Sequence, residues 1–91
     1  MEIKIIEDDK NRLVFEIKGV SHGFCTMLKE KLLENSDVKI ATYKVEHPLI
    51  NIPKFLVETT GADPKKCVAD AVKKLKSFVE KAQKDFKESL K

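Results

Sequence analysis

The sequence is poor in the residues that usually mark membrane spans, disulfide frameworks and catalytic loops. Its 91 residues include no tryptophan, one tyrosine, three glycines, three prolines and two cysteines. No apolar run approaches the ~18 residues of a membrane span, and the start of the chain, MEIKIIEDDK, lacks the apolar core of a secretory signal. We therefore expect a cytoplasmic protein with no membrane contact.

Residues that could carry chemistry are scattered along the chain. The two histidines, His22 and His47, have no partner at metal-ligand spacing, and the glycines form no phosphate-binding loop. Ser21 directly precedes His22, but adjacency in sequence does not make a nucleophile and its base. We expect no catalytic residue, no metal and no cofactor.

The two cysteines, Cys25 and Cys67, lie far apart at apolar helical positions and form no C-x-x-C pair. The sequence allows a disulfide between them. Buried free thiols in a reducing compartment are the favoured interpretation.

Charge is unevenly distributed along the chain, although the net charge is only +3. Residues 64–91 hold nine lysines against four acids, and the pairs Asp70–Lys74 and Glu80–Lys84 have the favourable i, i+4 order. This pattern is typical of a solvated helix face. A nucleic-acid-binding surface is the alternative, which the interleaved acids and the small net charge disfavour.

Alternation of apolar and polar residues predicts four strands, at residues 2–8, 12–19, 38–45 and 54–60. The polar corner DDKN joins the first two strands in a hairpin. The third strand is predicted to have two sides, one with Val38, Ile40 and Thr42 and the other with Ala41, Tyr43 and Val45. The segment EHPLINIP, residues 46–53, is expected to be a connection because its prolines remove backbone donors.

Helical periodicity predicts two helices. Ser21 is a suitable N-cap for the first, which should run to about Glu34. The second should begin with Asp63 as N-cap and Pro64 at the first helical position, and continue to Leu90.

The order ββαββα predicts one α+β domain over residues 1–91, a two-layer structure in which a four-stranded antiparallel-type sheet carries both helices on one face. The second helix would be about 40 Å long, whereas the strands reach about 25 Å. It carries an apolar stripe to its end, formed by Val68, Val72, Leu75, Val79, Ala82, Phe86 and Leu90. Because the sheet is too short to cover this stripe, we interpret its far end as half of an interface. The alternative is that the helix bends or frays over its last two turns.

The first helix also has more apolar surface than one sheet contact uses. Its residues Phe24, Cys25, Met27, Leu28 and Leu32 span about 160° of the helix circumference at ~100° per residue. We expect this helix to contact its own sheet and a second surface.

Two short motifs lie in this framework. The pattern S-H-x-x-C-x-x-L begins at Ser21, and the pattern Y-x-x-x-H-P-L begins at Tyr43. Together with the terminal amphipathic helix, these motifs resemble the archaeal RNA polymerase subunit L family, which is related to the bacterial α-subunit amino-terminal domain. The resemblance extends over essentially the whole chain.

The resemblance implies a non-catalytic assembly subunit of DNA-directed RNA polymerase, acting in transcription. In that family, the L-type subunit pairs with the larger D-type subunit through helices of both chains. The heterodimer is the platform on which the large catalytic subunits assemble, with two small zinc-containing subunits, N and P. Contact with DNA would occur only through the complex, and the family places no metal or active-site residue in the L-type subunit.

By position, we assign nine side chains to the contact with the D-type subunit: Phe24, Met27, Leu28, Leu32, Leu75, Phe78, Val79, Ala82 and Phe86. Some of the first-helix members must nevertheless face the sheet. The matched family motif adds Ser21 and His22, and the run His47, Pro48 and Leu49. That run either shapes a turn, which is the favoured interpretation, or touches a large subunit.

The start of the first helix departs from the family pattern. An acid followed by S-H-T-L, with Asn three positions after the Thr, is usual, whereas this chain has Val20, Gly23, Phe24 and Thr26 at the corresponding positions. No role of the Asn is therefore carried to Thr26. A self-pairing α+β scaffold or dimerisation module is the alternative interpretation of the whole chain.

Overall fold

The computed structural model describes residues 2–45 and 52–90 and contains four strands and two helices. Their order is β1 (Glu2–Asp8), β2 (Arg12–Lys18), α1 (His22–Leu33), β3 (Val38–Val45), β4 (Pro53–Thr59) and α2 (Pro64–Ser89). The strands form one sheet in the order β1-β2-β4-β3, and each neighbouring pair is antiparallel. The predicted ββαββα order and α+β class are confirmed. The predicted run His47, Pro48 and Leu49 lies outside the described residues.

Both helices cover the same face of the sheet. One apolar cluster joins alternate residues of β2 and of β4, and two residues of β3, to three residues of each helix. Its members are Leu13, Phe15, Ile17, Val38, Ala41, Phe55 and Val57 from the strands, and Cys25, Leu28, Leu32, Cys67, Ala71 and Leu75 from the helices. A single core of this kind is the usual way for a small two-layer domain to bury its apolar surface.

The strand β3 differs from its predicted alternation because it contains a β-bulge. Val38 pairs with Thr59 and Ile40 pairs with Glu58, so Lys39 is an extra residue with no partner of its own. The bulge shifts the phase, and Val38 and Ala41 both face the core. The prediction that Val38 and Ile40 share one side is therefore wrong.

The strand β4 begins at Pro53, which was predicted to belong to the preceding connection. Proline is tolerated at the first position of a strand, where its missing N–H is least costly. The remaining boundaries agree with the predictions to within a residue or two.

The two predicted N-caps are confirmed. The Ser21 hydroxyl accepts a hydrogen bond from the Phe24 backbone N–H at 3.1 Å, and the Asp63 carboxylate accepts one from the Lys65 N–H at 3.1 Å. Pro64 follows Asp63 at the start of α2. These side chains satisfy donors that the first helical turn leaves without a partner.

Both cysteines are buried and have free thiols. Burial raises the pKa of the Cys25 thiol. Burial also raises the pKa of the Cys67 thiol, with a smaller contribution from nearby carboxylates, Asp37 first among them. Neutral thiols at these positions behave as small apolar core residues.

Among the described residues, neither helix has the length and apolar composition needed to cross a membrane.

Candidate partner-binding surface

The helix α2 extends beyond the core of its own domain. Its 26 residues give a length of about 39 Å, and its buried residues are Pro64, Cys67, Ala71 and Leu75, all in the first half. From Lys76 to Leu90 every residue is exposed. The second half of α2 therefore projects beyond the core that the sheet and α1 provide.

The projecting half carries large apolar side chains on one face. Val79 is 42% exposed, Phe86 66% and Leu90 71%, and Ala82 is also exposed between them. Residues three and four apart lie on the same helix face, so these four form one continuous strip, which we call the distal stripe. An apolar strip of this length is unusual on a monomer and typical of a protein–protein contact.

The distal stripe continues into a groove between the two helices. Phe24 and Met27 of α1 and Val72 and Val79 of α2 line this groove, with Leu75 at its buried side and the Lys76 chain at its rim. Its volume is about 230 Å³. Val79 belongs to both features, so the groove and the stripe form a single apolar surface.

Three of the nine side chains assigned to the partner contact are buried and cannot contact a partner. Leu28 and Leu32 are 0% exposed and Leu75 is 3% exposed, because all three pack in the chain's own core. Their assignment to the interface is corrected on this ground. Sequence periodicity cannot separate the part of an apolar helix face that meets its own sheet from the part that does not.

Phe78 is exposed but lies beside the distal stripe. It is 55% exposed, and the Lys31 ammonium lies 5.6 Å from the centre of its ring. Lys31 also pairs with Glu34 at 3.1 Å. At ~100° per residue, Phe78 is about 40° around the helix from Ala82 and about 80° from Phe86, so it lies along one edge of the stripe.

The motif residues at the start of α1 form a hydrogen-bonded cluster with β3. The Tyr43 hydroxyl lies 3.1 Å from the Thr26 hydroxyl and 3.2 Å from each ring nitrogen of His22. The His22 and Tyr43 rings meet edge to face, with centroids 5.4 Å apart. Sequence reasoning assigned no role to Thr26 or to Tyr43 here, because 17 residues separate them and no spacing rule predicts the contact.

The groove and the distal stripe are lined mainly by apolar side chains. Within residues 2–45 and 52–90, no three side chains of His, Cys, Asp or Glu come together as metal ligands would. The groove and the distal stripe offer apolar area, flanked by lysines and acids. A surface of this composition is suited to bind the apolar face of another amphipathic helix.

The fold and the exposed helical surface together define a class of protein, the α+β dimerisation domain. Residues 12–85 match the family described as the RNA polymerase Rpb3/Rpb11 dimerisation domain. Because this match spans most of the chain, the chain belongs to that family.

Within the family, the chain is similar to L-type subunits, which are also called Rpo11. It is 43% identical over 76 residues to the DNA-directed RNA polymerase subunit Rpo11 of Methanocella arvoryzae, covering 82% of each chain. It is 37% identical over 75 residues to the Rpo11 subunit of Archaeoglobus fulgidus, covering 82% of this chain and 87% of that relative.

A crystal structure of DNA-directed RNA polymerase subunit L from Thermoplasma acidophilum has the same fold. It is 25% identical in sequence and superimposes with a TM-score of 0.83, covering 97% of this chain and 87% of that one. The predicted resemblance to subunit L is therefore confirmed.

Proposed function

We propose that this L-type subunit is a non-catalytic assembly subunit of a cytoplasmic RNA polymerase and that it pairs with the D-type subunit. The observation that carries the pairing is the distal stripe. It is made of apolar side chains, three of them large, that the chain's own sheet and first helix leave exposed. The family description as a dimerisation domain agrees with such a pairing.

The energetics of the stripe favour a lasting contact. Burial of apolar surface contributes about 25 cal/mol per Å², and aromatic residues such as Phe86 bury the largest areas. Several hundred Å² of stripe and groove would contribute several kcal/mol before the loss of rotational and translational freedom is subtracted. The helices α1 and α2 together present this surface, so a helix of the partner is its best complement.

The further role of the pair follows from the resemblance to the family. The heterodimer of the L-type and D-type subunits would be the platform on which the large catalytic subunits assemble, together with the small zinc-containing subunits N and P. This chain would meet DNA only as part of that complex. The run His47, Pro48 and Leu49 remains a prediction, as a turn or as a contact with a large subunit.

The pairing is tested by co-expressing this chain with the D-type subunit of its own organism and measuring the mass of the product by size-exclusion chromatography with light scattering. A stable one-to-one complex is expected. The isolated chain, measured in the same way over a range of concentrations, is the control. A homodimer that does not exchange with the D-type subunit would instead support the self-pairing module and overturn the proposal.

A further inference from the structure

The Thr26 and Tyr43 hydroxyls form a bonded pair at the start of α1, beside the His22 ring. The Thr26 hydroxyl donates to the His22 backbone carbonyl at 3.2 Å, so its oxygen is left to accept from the Tyr43 hydroxyl. The His22 ring lies against this pair, with both ring nitrogens 3.2 Å from the Tyr43 oxygen. Tyr43 thereby ties the start of α1 to the sheet through its bond with Thr26 and its contact with the His22 ring.

The position of the Tyr43 ring is fixed by its packing against the core. It stacks on Phe55 with ring centroids 5.1 Å apart, and Phe55 stacks on Phe15 at 5.3 Å. Phe15 and Phe55 are among the most buried residues of the chain. The hydroxyl of Tyr43 is thus placed by three strands, β2, β4 and β3, before it bonds the helix.

The contact with Tyr43 should stabilise the first turn of α1, whose own sequence favours a helix only weakly. Gly23 stands in this turn, and glycine is the poorest helix former apart from proline. Beyond the cap bond that the Phe24 backbone N–H donates to the Ser21 hydroxyl, the side-chain contacts near this turn are those of His22 and Thr26 just described. The turn leads directly to Phe24 and Met27, which line the groove.

We infer that Tyr43 is a positioning residue for the contact with the D-type subunit. Its hydroxyl holds α1 so that Phe24 and Met27 face the partner. This inference rests on the proposed function. At ~100° per residue, Thr26 lies about 100° from Met27 and about 160° from Phe24, so Tyr43 bonds the flank of α1 away from the groove and acts through the helix.

The test uses Tyr43→Phe, which deletes the hydroxyl and keeps the stacked ring, and Thr26→Val, which deletes its partner and keeps the shape. Each should weaken binding of the D-type subunit about fivefold, the equivalent of one ordinary hydrogen bond. The double variant should be little weaker than either single one, because both remove the same bond. In the isolated chain, the amides of Cys25, Thr26 and Met27 should exchange faster in Tyr43→Phe, while those of α2 should not change.

Weaker binding together with faster exchange in α1 supports the inference. Unchanged binding by both variants overturns it, whatever the exchange rates. Weaker binding with unchanged exchange also overturns it, because Tyr43 would then touch the partner directly. If the unaltered chain does not bind the D-type subunit, the proposed function fails, and the exchange data alone decide whether Tyr43 orders α1.

Discussion

Leu75 and Val79 lie one turn apart on the same stripe of α2, yet Leu75 is 3% exposed and Val79 is 42% exposed. The core of the domain ends between them. On one side of this boundary an apolar side chain stabilises the fold, and on the other it is available to a partner. Substitutions on the two sides should therefore have different consequences.

Leu75→Ala should destabilise the isolated chain by about 2–5 kcal/mol, because it leaves a cavity in a packed core. Phe86→Ala should change the free energy of unfolding by no more than about 0.5 kcal/mol, because Phe86 is 66% exposed. Urea denaturation of both variants measures the difference. A loss of stability in Phe86→Ala as large as that in Leu75→Ala would show that the distal stripe is packed in the isolated chain.

Phe86→Asp should weaken binding of the D-type subunit by several kcal/mol while leaving the isolated fold intact, since it places a carboxylate in the middle of an apolar contact. Ser77→Asp is the matched control. It adds the same charge to an exposed position of α2, about 180° from Phe86 at ~100° per residue.

A titration of the labelled D-type subunit with each variant measures both affinities. The control should bind as the unaltered chain does. Equal affinities for the control and for Phe86→Asp would place the contact on another face of the helix.

Much of the fold could be predicted because local chemistry sets it. Alternation predicted the strands, and the caps Ser21 and Asp63 placed both helix starts. The uncovered end of α2 followed from length alone, since a helix of this length exceeds the sheet. The pairing of strands into the order β1-β2-β4-β3 needed the structure.

The remaining features depend on tertiary contacts that no local pattern reports. The bulge at Lys39 has no glycine or proline to mark it, so the predicted sides of β3 were out of phase. Leu28 and Leu32 share an apolar helix face with Phe24 and Met27, and only the position of the sheet decides which of them are covered. The bonds of Tyr43 to α1 likewise join distant parts of the chain.

Gly23→Ala should stabilise the isolated chain by about 0.5–1 kcal/mol, because alanine loses less conformational freedom in a helix. There is room for the methyl group, whose nearest neighbour would be the Ser21 hydroxyl oxygen at 3.7 Å. Gly61→Ala is the control with the opposite sign. Gly61 has a φ of 92°, a conformation that a residue with a side chain disfavours. The Gly61→Ala variant should therefore be less stable than the unaltered chain by about 1–2 kcal/mol. Thermal unfolding of both variants decides, and destabilisation by Gly23→Ala would contradict the prediction.

The two buried thiols should make stability fall in alkaline solution. Burial raises the pKa of both Cys25 and Cys67 above the ordinary 9.0. As the pH rises past about 9, thiols of the unfolded chain ionise while those of the folded chain stay protonated, so the equilibrium shifts toward unfolding. The stability that the two protonated thiols contribute is fully present below the pKa of the thiols in the unfolded chain. It is lost as the pH rises toward their pKa in the folded chain.

Cys25→Ala separates this effect from the titration of other groups. The variant should be less stable than the unaltered chain at about pH 8, because it leaves a small cavity. Its free energy of unfolding should nevertheless decline less between about pH 8 and pH 10, because it has one fewer thiol with a raised pKa. Urea denaturation across this range gives both slopes. Parallel slopes would mean that Cys25 ionises as readily in the folded chain as in the unfolded one, and that its burial does not hold the proton.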